Sequence, residues 1–86
     1  MSEQLAIIRR PGYGTRDFRG KVGLWFDTYT SETSGALQCL FGEDADRVFH
    51  ESGVYSVEKL EGKPCWVECE GGMMKFLRMA KLGEQA

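Results

Sequence analysis

A chain of 86 residues and 9.7 kDa has room for one hydrophobic core and not for two. Apolar residues at 42% and charged residues at 28% lie near globular averages and exclude a collagen-like or charge-dominated disordered chain. The net charge of −2 conceals an asymmetry. Residues 9–21 hold Arg9, Arg10, Arg16, Arg19 and Lys21 against Asp17, a balance of +4, so the remainder carries −6. Much of that is Glu43, Asp44, Asp46 and Glu51.

No apolar run approaches the roughly 18 residues of a membrane-spanning helix. The opening Met1-Ser2-Glu3-Gln4 lacks the basic and apolar regions of a secretory leader. Three cysteines are an odd number for a disulfide framework and suit a reducing compartment. The expectation is one cytoplasmic domain over 1–86, away from membranes, with disordered tails at 1–4 and 82–86.

Leu5–Ile8 is a short apolar run ended by Pro11-Gly12 and reads as a first strand. Residues 11–20 then read as a loop. Lys21–Thr28 alternates, with Val22, Leu24 and Phe26 on one face and Gly23, Trp25 and Asp27 on the other. Tyr29–Ser34 reads as a turn longer than the favoured two residues. Gly35–Phe41 returns as a strand on which Leu37, Cys39 and Phe41 share a face.

The period then changes. Ala45, Val48 and Phe49 fall at i, i+3 and i+4, acidic residues occupy the first turn, and Gly53 is placed as a left-handed cap. These features predict a helix over Glu43–Ser52, followed by one further turn at Ser56–Leu60 with Ser56 as its cap. Cys65–Glu70 and Met73–Arg78 flank Gly71-Gly72, a two-residue hairpin signal. That loop pairs Glu70 with Met73, Cys69 with Met74, Glu68 with Lys75, Val67 with Phe76 and Trp66 with Leu77. The predicted fold is α+β: about five antiparallel strands, two hairpins plus an N-terminal strand, curled against one short helix.

Chemistry is sparse. Cys65 and Cys69 share a face but stand about 13–14 Å apart along an extended strand, too far to ligate one zinc, so the three cysteines read as buried small hydrophobes. His50 is the sole histidine and no nucleophile signature accompanies it. Gly12-x-Gly14 has no helix after it, and Gly42 precedes acidic residues that repel phosphate. No enzyme activity, metal or cofactor is expected.

Two binding surfaces remain. With one helix to cover the sheet, Trp25, Trp66 and Leu77 are candidate apolar anchors for a protein partner, or for a second copy in a homodimer, with Asp44, Asp46 and Glu51 as an acidic steering patch. Alternatively, Arg9, Arg10, Tyr13, Arg16, Phe18 and Arg19 interleave cations with aromatics, the composition of a loop that stacks bases and contacts phosphates of single-stranded nucleic acid.

The pattern Gly23-Leu24-x-Phe26, Gly35-Ala36-x-Gln38, a helix, then Gly53-Val54-x-x-Val57-x-x-Leu60-x-Gly62-Lys63-x-Cys65-x-Val67 resembles small accessory proteins carried by phages, prophages and other mobile elements. The resemblance covers about residues 13–80 and rests on turn glycines and core positions. It implies a non-enzymatic protein that, in the cytoplasm of a bacterial host, occludes a surface of a host or viral macromolecule, as anti-CRISPR inhibitors of host defence do.

Overall fold

The computed structural model describes residues 2–16 and 18–81. Five strands form one antiparallel sheet: β1 (Ser2–Gly14), β2 (Gly23–Ser31), β3 (Ser34–Phe41), β4 (Pro64–Glu70) and β5 (Met73–Met79), in spatial order β3-β2-β1-β4-β5. Helix α1 (Gly42–Ser52) and a 3-10 turn (Val57–Leu60) lie between β3 and β4. The sheet curls into a half-barrel, so the expected α+β architecture is present.

β1 is longer than its apolar run suggests. Its first half pairs with β4, from Ser2 opposite Cys69 to Ile7 opposite Pro64. Its second half pairs with β2, from Ile7 opposite Tyr29 to Gly14 opposite Gly23. Ser2–Gln4, expected in a disordered tail, are thus strand residues; Met1 and 82–86 lie outside the described residues. Pro11-Gly12 does not end the strand. Between Arg9 opposite Asp27 and Gly12 opposite Trp25, Arg10 and Pro11 form a bulge, which absorbs the proline without breaking the sheet and bends the strand.

The β2–β3 turn is also tighter than expected. Ser31 pairs with Ser34, leaving Glu32-Thr33 as a two-residue connection, and Thr30 is accommodated by an irregularity in the strand. On β3 the inward position belongs to Gln38, which is buried, whereas Leu37, Cys39 and Phe41 face outward and Cys39 is exposed. Cys39 therefore departs from the expected burial, while Cys65 is buried and Cys69 packs against the core.

The interior joins Ile8 of β1, Leu24 and Phe26 of β2, Cys65 and Val67 of β4, and Phe76 and Met79 of β5. Phe26 and Phe76 meet edge to face at 5.3 Å. α1 presents Ala45 and Val48 to this cluster, with Phe49 beside them. Each large apolar side chain so buried is worth roughly 1.5–3 kcal/mol. Gly53 takes the left-handed conformation (φ 69°) and donates its N–H to the Phe49 carbonyl at 2.9 Å, closing the helix as expected. Ser56 precedes the 3-10 turn but makes no side-chain cap bond.

The β4–β5 register follows the glycine turn from Glu70–Met73 to Val67–Phe76 and then slips, so that Trp66 faces Arg78 and not Leu77. Leu77 is the extra residue of a bulge, a departure that side-chain matching across a regular ladder does not reveal.

β3 and β5 are the two edges of the sheet, and Gln38 spans them. Its amide nitrogen donates to the Met74 carbonyl at 2.9 Å and lies 3.3 Å from Thr28 Oγ1, and its amide oxygen accepts from the Phe76 N–H at 3.2 Å. The side chain thus meets both a donor and an acceptor of the β5 backbone, as a neighbouring strand would. Replacing Gln38→Leu preserves most of the volume but strands those buried groups. A loss of about 2–3 kcal/mol is expected in urea unfolding. A loss below about 0.5 kcal/mol would show that water satisfies the seam instead.

Candidate functional site

The outward face of β2 carries Trp25, Asp27 and Tyr29, and that of β3 carries Leu37, Cys39 and Phe41. This face is distinct from the core and has its own packing. Trp25 lies across Gly12 so closely that a Cβ there would collide with the indole. Phe18, from the loop joining β1 to β2, sits 5.8 Å from Trp25 and 4.8 Å from Phe41, edge to face with both. A Cβ on Gly23 would come within 2.8 Å of Phe41 and 2.9 Å of Phe18. The glycines make room for rings that lie close to the sheet.

The loop adds cations to this aromatic group. Arg16 places its guanidinium 5.3 Å from the Trp25 ring centroid, a favourable cation–π arrangement. Arg16 and Arg19 both have positive φ, 35° and 57°, uncommon for residues with a Cβ. Turn bonds from Phe18 N–H to the Thr15 carbonyl (2.9 Å) and from Lys21 N–H to the Phe18 carbonyl (3.2 Å) hold the loop. Arg16, Arg19 and Lys21 are exposed, and among the described residues no carboxylate forms an ion pair with them.

Arg9 and Arg10 have different duties. Arg10 also has positive φ (51°). It contacts Asp27 Oδ2 through Nη2 at 2.6 Å and through Nε at 2.8 Å, and donates from Nη2 to the Tyr29 hydroxyl at 3.0 Å. Its backbone N–H donates to Glu61 Oε1 at 2.9 Å, while Arg9 reaches Glu61 Oε2 at 3.2 Å. The Asp27 hydrogen bond raises the Arg10 pKa, and the Arg10 N–H followed by the Arg9 side chain holds the Glu61 carboxyl below its ordinary range. These two arginines pin the β1 bulge. Tyr13 points elsewhere, edge to face with Phe49 of α1 at 5.6 Å.

The other anticipated anchors do not assemble. Trp66 is only 7% exposed, with the Arg78 guanidinium 5.7 Å from its ring centroid, and it lies on β4, separated from β2 by β1. Leu77 is half-buried at the β5 bulge. Asp44 and Asp46 are exposed on α1, but Glu51 accepts from the Met79 N–H at 3.1 Å and approaches Arg47 at 3.9 Å. Arg47 in turn donates to the Leu77 carbonyl at 3.2 Å. Part of the acidic patch therefore fastens the helix to β5.

Sequence reasoning thus located Trp25 and, in the basic loop over 9–21, Arg16, Phe18, Arg19 and Lys21, but missed Phe41 and Tyr29 as neighbours of one face. Pairing of glycines with aromatics, Gly12 with Trp25 and Gly35 with Tyr29, was the available signal. No protein-family model, curated protein or solved structure matches the chain.

Two measurements follow from the site. Glu61 has a lowered folded-state pKa, so its contribution to stability is present above the unfolded value and is lost as pH falls through the folded one. Glu61→Gln should therefore flatten the fall in Tm between about pH 5 and pH 3; superimposable acid limbs would dismiss the contact as a stabiliser. Thiol titration should find Cys39 fast-reacting, and Cys65, whose burial pushes its pKa up to about 12, protected until the chain unfolds. Equal native reactivity of the two would contradict the outward placement of Cys39.

Proposed function

We propose that this protein is a non-enzymatic single-stranded nucleic-acid-binding domain whose ligand lies on the outer face of β2 and β3 and under the β1–β2 loop. The observation that carries the reading is the union of three partly exposed rings, Trp25, Phe18 and Phe41, with the exposed cations Arg16, Arg19 and Lys21. Rings supply stacking surfaces that any base satisfies, and cations beside them follow the phosphates. An acidic whole-chain pI of 5.4 is compatible with this arrangement. Over distances near the Debye length of about 8–10 Å, local charge governs the encounter more than the total does.

Architecture supports the same surface. A half-barrel of order β3-β2-β1-β4-β5, its edge strands drawn together and a helix between β3 and β4, has the connectivity of the oligonucleotide/oligosaccharide-binding barrel. Barrels of that type engage ligands on their second and third strands and on the β1–β2 and β4–β5 loops. The rings and cations provide the mechanism. A mobile-element accessory role agrees with such an activity, because occupying single strands is one way to block a nucleic-acid machine.

Anisotropy titration of a labelled thymidine 15-mer should show binding that weakens with salt. Three phosphate contacts give a slope of log K against log[salt] near −2, from about −0.7 per contact on single strands. Trp25→Ala should weaken binding by roughly 5- to 150-fold, the range for loss of one stacking ring, and Arg19→Ala with Lys21→Ala should flatten the slope. Absence of binding at low salt would overturn the proposal and return attention to a protein partner.

A further inference from the structure

The outer face continues beyond Trp25 toward the β2–β3 turn, where Ile7, Arg9, Tyr29, Thr30, Ser31 and Glu32 bound an open depression of about 390 Å³. We infer that this depression is a second nucleobase subsite, so that one strand engages Trp25 and Tyr29 together; the inference rests on the proposed function and specifies how much of a strand the site reads.

Tyr29 is prepared for such a role. Its ring lies against Gly35 so closely that a Cβ there would collide with it, and its hydroxyl accepts a hydrogen bond from Arg10 at 3.0 Å. The ring is therefore fixed before any ligand arrives, which reduces the ordering cost of binding. Ile7 faces Tyr29 across the β1–β2 ladder and supplies an apolar wall. Arg9, held by Glu61 at 3.2 Å, supplies a positioned cation at the rim. A strained bulge connects the two ring sites, because Arg10 bonds Asp27 and Tyr29 at once.

Spacing sets the length of strand required. Trp25 and Tyr29 are four residues apart on one strand, about 13–14 Å. At the 3.4 Å spacing of stacked nucleotides that is about four steps, and fewer if the strand is stretched. A dinucleotide therefore reaches one ring, and a hexanucleotide reaches both. Chemistry also sets a preference. Glu32 is an exposed carboxylate at the edge of the depression, and guanine presents its N1–H and N2–H2 donors side by side, matched to two carboxylate oxygens.

The test is quenching of tryptophan fluorescence by thymidine di- and hexanucleotides, and by hexanucleotides carrying guanine at either end. Tyr29→Ala should weaken hexanucleotide binding about tenfold, within the range for one lost stacking ring, and leave the dinucleotide unaffected. Tyr29→Phe, which keeps the ring, should retain the hexanucleotide. Glu32→Gln should abolish the advantage of guanine over thymine while leaving dinucleotide binding intact. Wild-type hexanucleotide affinity in Tyr29→Ala would overturn the second subsite, as would equal losses on both lengths in that variant, and an undiminished guanine advantage in Glu32→Gln would overturn the assigned base preference. Failure of the wild type to bind any oligonucleotide is a separate result and would overturn the proposed function itself.

Discussion

A five-stranded sheet with one eleven-residue helix must curl to hide its inner face, and curling leaves two edges that have to be reconciled. Gln38 performs that reconciliation. Its amide has the same donor and acceptor as a peptide group, and it reaches from β3 to the Met74 carbonyl and the Phe76 N–H of β5. Arg47 and Glu51 extend the treatment of the same edge by engaging Leu77 and Met79 from α1. One strand border is therefore satisfied by side chains in succession. A regular ladder is not needed to protect it, and an edge treated in this way is a poor template for pairing with another chain.

The closure of the inner face determines what the outer face can be. Once Leu24, Phe26 and Thr28 turn inward, alternation obliges Trp25, Asp27 and Tyr29 to turn outward. The rings would be a liability if they stood upright in water. Glycines opposite them allow the rings to lie against the sheet, where they are partly shielded and held in position. The Arg10 bulge, with Asp27, Tyr29 and Glu61 gathered around it, holds the bend in β1 that gives this surface its shape. Core, bulge and aromatic face are thus parts of one arrangement.

The elements that sequence reasoning located were those with strong local signals. The helix was legible because period, acidic first turn and terminal glycine agreed, and the β4–β5 hairpin because Gly71-Gly72 fixes a register. Alternation in β2 placed Trp25 correctly. What escaped were choices made by distant partners. Gln38 is inward because β5 lies opposite it, although a polar residue beside Leu37 and Cys39 reads locally as the outer side. Trp66 faces Arg78 because Leu77 is the extra residue of a bulge, although local matching assigned it Leu77. Pro11-Gly12, a strong break in a local reading, becomes a bend because β2 pairs with β1 on either side of it, at Arg9 and again at Gly12.

The divided pairing of β1 also has a consequence for the order of assembly. Its second half belongs to a meander with β2 and β3, whose contacts are comparatively close along the chain. Its first half is paired with β4, so Leu5 finds Trp66 and Glu3 finds Glu68 only after most of the intervening sequence is available. Contacts of long sequence separation form slowly because loop closure must precede them. Ser2–Ile7 therefore behaves as a latch: the meander and its aromatic face can take shape first, and the barrel locks when the last hairpin swings into place beside it.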